Sequence, residues 1–239
     1  MPIHLVLASQ SPRRRQLLAE TGRPFVAIPA EDVEEESPKT SADPAGLVVR
    51  NALKKARSIA EKLAGDPAGA QALVCTSGGD ATGAVRIAVI GCDTVACVPP
   101  PGTNEVEILG KPADRADARR MLSMLSGSEH AVVSGLAVIL VELPSTGSDT
   151  PLLKEDTCSE TTTLYMEPLS ENTLEDYLDS GAWEGKAGAF GYQDGIAWLR
   201  RLTGSESNIV GLPMELLTER LKALDGSKPG AKTNHGSNV

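Results

Sequence analysis

Apolar positions recur along the chain in two rhythms, one of period two or less and one of three to four. Residues 3–8 read as a buried strand, and FVAIP at 25–29 as a second. Between them Ser11 and Pro12 have the form of a helix cap and first helical residue, predicting a helix to about Thr21 with Gly22 as its stop. Val48, Ala52, Ala56, Ile59 and Leu63 recur at steps of four and three, which makes one apolar helix face. Asp43 caps that helix, Pro44 opens it and Gly65 ends it. RIAVIGCDTVACV at 86–98 is an apolar run, 105–109 a short strand, and about 114–126 a helix stopped by Gly127. HAVVSGLAVILVE at 130–142 is a long strand, followed by a strand in TTTLYMEPL, a capped helix in SENTLEDYLDSG, a strand in IAWLRRL and a last helix at 213–224. Interleaved strands and helices, with long strands late in the chain, predict an α/β fold: a mixed twisted β-sheet flanked by helices.

Two stretches break the rhythm. Residues 65–86 are rich in Gly, Ala and Ser, and 143–160 in Ser and Thr. Both are expected to be loops inserted into a single domain spanning 1–224, with a disordered tail at 225–239. Residues 185–195, GKAGAFGYQDG, read as a glycine-rich loop. Composition narrows the function classes. The chain has 239 residues, 41% hydrophobic and only 3% aromatic, with a net charge of −9. That balance argues against general nucleic-acid binding, which needs a basic footprint and stacking rings. No apolar run approaches a membrane span, and MPIHLVLASQ lacks the charged and apolar regions of a secretion signal. Cys75, Cys92, Cys97 and Cys158 match no zinc or redox spacing, so a reduced, cytoplasmic setting is the default expectation.

Several charged residues ask for an explanation. Arg13, Arg14 and Arg15 fall in the first turn of a helix, where the macrodipole disfavours cations. A strand-to-helix turn exposes backbone N–H groups and suits a phosphate, and guanidinium grips phosphate with paired bonds. A bound polyanion at Arg13 and Arg14 reconciles these facts; a solvated basic face is the alternative, and Arg15 and Gln16 fit it. Lys55 lies on the rim of an apolar helix face, with a stem that can cross the core and an ammonium that can enter a cleft. Asp93 sits inside an apolar run, where an unpaired carboxylate costs several kcal/mol. Either the strand ends there or Asp93 faces a cleft. Lys111 and Lys186 each follow a glycine; joined with Arg13, Arg14 and Lys55 they would make a cationic pocket in an acidic protein. Asp93 and Glu35 could then hold a divalent ion against substrate phosphates. There is no Walker A sequence.

ASQSPRRRQLL, VEE at 33–35, LKKA at 53–56, GCDTV, LGKP, MLSMLSG, H-x-V, KAGAFGYQ and NIVGLP occur in that order. This set resembles the Maf family of nucleoside triphosphate pyrophosphatases, within its dTTP/UTP pyrophosphatase-like group. The resemblance implies a Maf/ITPase-like fold with a deep cleft, and a cytoplasmic enzyme that converts a nucleoside triphosphate to monophosphate and pyrophosphate with Mg²⁺ or Mn²⁺. It also implies a homodimer, and neither nucleic acid nor membrane as partner. By motif, Asp93, Glu35, Lys55 and Lys111 match catalytic positions, with Asp93 and Glu35 on the metal side and Glu34 one step from the latter. Ser9, Arg13 and Arg14 match the phosphate-binding turn. Thr94, Lys186 and Gln193 complete the expected substrate-binding set, Thr94 and Gln193 as readers of a pyrimidine edge. The chain departs from the family pattern mildly, at Cys92, Ser134, Phe190 and Tyr192. Action on 7-methyl-GTP or noncanonical purine nucleotides, or a regulator that binds nucleotides without turnover, are the alternatives.

Overall fold

The computed structural model describes residues 2–76, 83–99, 105–145 and 150–226. Along these the chain runs β1 (Ile3–Leu7), α1 (Pro12–Ala19), β2 (Phe25–Ala27), α2 (Pro44–Gly65), α3 (Pro67–Thr76), β3 (Val85–Val98) and β4 (Glu107–Leu109). It continues with α4 (Arg115–Leu125), β5 (Glu129–Leu143), β6 (Leu152–Met166), α5 (Glu171–Asp179), β7 (Leu199–Arg201), α6 (Glu206–Val210) and α7 (Met214–Gly226).

The strands form one seven-stranded sheet in the order β2-β1-β3-β5-β6-β7, with β4 also on β3. β1 runs parallel to β2 and β3, and all other pairings are antiparallel. The sheet is therefore mixed, as expected. β3 changes neighbour along its length. Arg86–Ile90 pair with β1, whereas Ala96–Val98 pair with β4. Gly91–Val95 lie in the gap between these partners on that side, while their other side is paired to β5 throughout.

Apolar side chains alternate across β3 and β5 and so feed two cores. Ile87, Val89, Ala137 and Ile139 pack under α2 and α3. Ala88, Ile90, Cys92, Leu136 and Val138 pack with Leu18 of α1 and with Leu217 and Leu221 of α7. A third cluster joins α4, α5 and the ends of β3 and β5. The α2 contact is unusually close, and two glycines permit it. A Cβ at Gly91 would lie 2.2 Å from the Ala52 carbonyl oxygen, and one at Gly135 only 2.3 Å from that of Val48.

Two loop expectations are corrected. Within 65–86, Pro67–Thr76 is helix and β3 begins at Val85; residues 77–82 lie outside those described. The Asp-Pro signature that opens α2 is repeated here: the Asp66 carboxylate accepts from Gly69 N–H at 3.0 Å, ahead of Pro67. Ala70 and Val74, one turn apart, bury against the α2 core. Within 143–160, β6 starts at Leu152 and pairs with β5 from Glu142 onward. Its first half alternates between exposed and half-buried side chains, so the strand shape comes from β5 rather than from an apolar stripe. In the tail, residues 225 and 226 close α7, and 227–239 lie outside the described residues. Among those described, no helix is long and apolar enough to cross a membrane.

Candidate active site

A cleft of about 580 Å³ opens at the carboxyl end of β1, over the gap where β3 has left β1 and not yet met β4. Ser9, Arg13, Arg14, Glu35, Lys55, Asp93, Thr94, Lys111, Lys186 and Gln193 all line it. Ligands commonly bind at such a partner change, outside the carboxyl ends of parallel strands.

One wall is the β1–α1 turn. Ser9 Oγ accepts from Ser11 N–H at 3.2 Å, and Ser11 Oγ caps α1 by accepting from Arg14 N–H at 3.5 Å. Arg13 donates to the Gly185 carbonyl at 2.9 Å, which fastens this wall to the glycine-rich loop. Burial, then the adjacent Arg14 cation, pulls the Arg13 pKa below its usual value, yet a guanidinium stays charged at neutral pH. Two cations are thus crowded at a helix N-terminus beside a cleft. Arg15 and Gln16 are exposed, as expected.

Arg14 has protein partners that the sequence did not indicate. It donates to the Gly211 carbonyl at 2.7 Å, the Cys92 carbonyl at 2.8 Å and Thr94 Oγ1 at 3.2 Å. Its fork closes the open edge of β3, and Arg14 also lines the cleft. Thr94 has protein partners as well. Its hydroxyl also lies 2.9 Å from Ser134 Oγ and 3.4 Å from the Gly211 carbonyl. The Gly211 carbonyl is held there by α6, anchored by the buried Asn208. The Asn208 side chain donates to Val132 O at 3.1 Å and Thr162 Oγ1 at 2.9 Å. Cys92 Sγ donates to the same Gly211 carbonyl at 3.1 Å, and burial pushes the thiol pKa up, which makes it a packing group.

The opposite face of β3 carries the acids. The strand does not end at Asp93: it continues to Val98, and Asp93 pairs with Gly135 in register. Its carboxylate accepts from Lys55 Nζ at 3.1 Å and from Asn51 Nδ2 at 3.0 Å. Lys55 also meets Glu35 at 3.0 Å, so one ammonium bridges two carboxylates. The Asp93 and Lys55 side chains are only 14% and 12% exposed, against 48% for Glu35. Of the loop acids, Glu35 and Glu31 line the cleft and Glu34 does not. The acidic loop is laced to α2: Arg50 and Lys54 bind Glu36 at 2.8 and 3.2 Å, and Lys62 binds Asp32 at 3.0 Å.

The third wall is the glycine-rich loop, two 3-10 turns at Ala187–Ala189 and Tyr192–Asp194. Gly188 N–H donates to the Gly110 carbonyl at 3.0 Å, which ties the loop to the GKP turn that carries Lys111. Lys186 is paired with Asp194. Gln193 and Lys111 are exposed at the rim. Phe190 forms part of the wall, with His130 edge-on behind it at 5.4 Å between ring centres. Asn51 was not singled out from sequence, and Ser134 and Asn208 were noted only within motifs, without a role. The available signal was an Asn on the apolar face of α2, one turn before Lys55.

Basic groups on one side and a lysine-bridged acid pair on the other define a protein built to hold a polyanion. Residues 4–224 match the family described as Maf-like protein, and the chain belongs to that family. It is 36% identical over 223 residues to a dTTP/UTP pyrophosphatase of Rhodopirellula baltica, spanning 92% of this chain and 82% of the relative. It is 34% identical over 219 residues to one of Symbiobacterium thermophilum, spanning 91% and 92%. A Mycobacterium abscessus nucleoside-triphosphatase / dITP/XTP pyrophosphatase aligns over 95% of this chain and 98% of its own, with a TM-score of 0.37 and 17% identity.

Proposed function

We infer that this chain is a nucleoside triphosphate pyrophosphatase acting on dTTP and UTP. The observation that carries the reading is the Lys55 ammonium between Glu35 and Asp93, facing Arg13 across one cleft. The two Maf relatives that share about a third of the sequence are named for the same activity.

The triphosphate lies along the β1–α1 turn. Arg13, Lys55 and Lys111 offset its charge, and the N-terminus of α1 adds its dipole. Arg14 keeps that wall in place and presents its remaining N–H groups. Asp93, fixed by Asn51 and Lys55, orients a water in line with the α-phosphorus and accepts its proton. The bond between the α- and β-phosphoryl groups breaks, and pyrophosphate leaves. Gln193, exposed on the loop, offers a donor and an acceptor to a pyrimidine edge. The donor set suits Mg²⁺ or Mn²⁺: two carboxylate oxygen donors already gathered by one cation, where such ions take one or two carboxylates plus phosphates and water. Glu35 and Asp93 would hold the ion, which supplies charge neutralisation on phosphate oxygens.

The test is pyrophosphate release from dTTP, UTP, CTP, GTP, ITP and 7-methyl-GTP with either metal, beside Asp93→Asn. Turnover should favour dTTP and UTP and fall at least ~10³-fold in the variant, whose melting temperature stays near wild type. A purine preference would remove the role given to Gln193 but keep the chemistry. Nucleotide binding without turnover would overturn the enzymatic reading in favour of a regulator.

A further inference from the structure

Asn51 lies in the middle of α2, 2% exposed. A polar side chain on the apolar face of a helix needs its hydrogen bonds met locally. Here they are met with a particular asymmetry. Asn51 Oδ1 accepts from Glu36 N–H at 2.8 Å, and Nδ2 donates to Glu36 O at 3.1 Å. The side-chain amide thus pairs with both backbone groups of one residue of the acidic loop, as a neighbouring strand would. Nδ2 also donates to Asp93 Oδ2, at 3.0 Å. Lys55 holds the other Asp93 oxygen and reaches Glu35.

We propose that Asn51 is a positioning residue which sets Asp93 and the Glu35 loop in a single geometry, and so governs the rate of the chemical step without binding substrate. It rests on the functional reading given above. The reasoning is one of available freedom. A carboxylate can swing about its Cβ–Cγ bond, and a surface loop can shift by an ångström at little cost. Asn51 stops both with one rigid amide, carried on the long helix that rests directly on the sheet through Gly91 and Gly135. Reacting groups misplaced by about 1 Å lose about a hundredfold in rate. Asparagine is also the side chain the pattern requires. Aspartate would still accept from Glu36 N–H, but would turn an oxygen towards Asp93 and Glu36 O, where each position needs a donor. Leucine would fill the space and join nothing.

Three measurements test this on the full chain. In steady-state pyrophosphate release, Asn51→Ala and Asn51→Asp should lower kcat by about ten- to a hundredfold, with KM within about threefold of wild type. An unchanged kcat, or a raised KM at constant kcat, overturns the proposal. In a double-mutant cycle, Glu35→Gln in the Asn51→Ala background should cost less than it does alone, because the loop that carries it is already loose. Full multiplicativity overturns the coupling. The third measurement needs no turnover. Amide hydrogen exchange at Glu36 should be protected in wild type and in Asn51→Asp, which keeps the acceptor, and lose protection in Asn51→Ala. Equal protection in all three removes the tether. Should Asn51→Ala not fold, Asn51→Asp, of the same size, carries the kinetic test. If wild type itself turns over no nucleotide, the functional reading fails while the exchange result still decides the tether.

Discussion

His130 shows how far one buried side chain can set a property of the whole chain. It is 3% exposed, its Nδ1 lies 3.5 Å from Ser128 O, and its Nε2 has no partner among the described residues. Burial lowers its pKa from 6.5 to about 4. On acidification the unfolded chain takes up the proton first, so this contribution to stability is full above pH 6.5 and is lost as pH falls towards 4. A gap of that size amounts to about 3 kcal/mol. His130→Leu should therefore lose less unfolding free energy between about pH 7 and about pH 4.5 than wild type does, by urea titration at each pH. An identical slope would clear His130 of the effect. The same residue-scale logic explains Arg14. Its three carbonyl and hydroxyl partners come from β3 and from the turn after α6, and only a planar fork with several donors can join them at once.

At the scale of elements, the governing contact is α2 on the sheet. Gly135→Ala would place a methyl group against the backbone of α2 near Val48, and a helix backbone cannot yield as a flexible side chain can. We expect a loss of about 2–3 kcal/mol in denaturant unfolding and a fall in kcat, since Asn51 and Lys55 ride on the same helix. Wild-type stability would mean that the helix rides higher than described. α2 was also the element most legible in the sequence. Asp43-Pro44, the apolar steps from Val48 to Leu63, and Gly65 mark it from end to end. α3 repeats the Asp-Pro signal at Asp66-Pro67, but its Gly- and Ala-rich sequence obscured the period. β6 was legible only from Thr161 onward, because its earlier residues are mostly polar on both faces and give little period-two contrast. For the site, residue types and motifs led to side chains that line one cleft. They could not give direction. Thr94 follows Asp93 in sequence and therefore faces the other side of β3, where Arg14 and Ser134 take its hydroxyl.

At the scale of the molecule, charge is divided. The chain carries −9 overall, yet Arg13, Arg14, Lys55, Lys111 and Lys186 converge on one cleft. Such a cleft focuses field lines on a polyanionic substrate. KM for dTTP should rise several-fold between about 20 and about 300 mM salt, while kcat and melting temperature change little. A KM independent of salt would mean that shape, and not charge, holds the triphosphate. The division of β3 between β1 and β4 has a consequence for heating. β1 and β4, which flank the cleft, pair with different parts of one strand, and β5 spans the join on its far side. The floor of the cleft is therefore continuous with the long β3–β5 ladder. Warming cannot part the walls there before the sheet itself gives way, so the floor of the site survives for as long as the fold does.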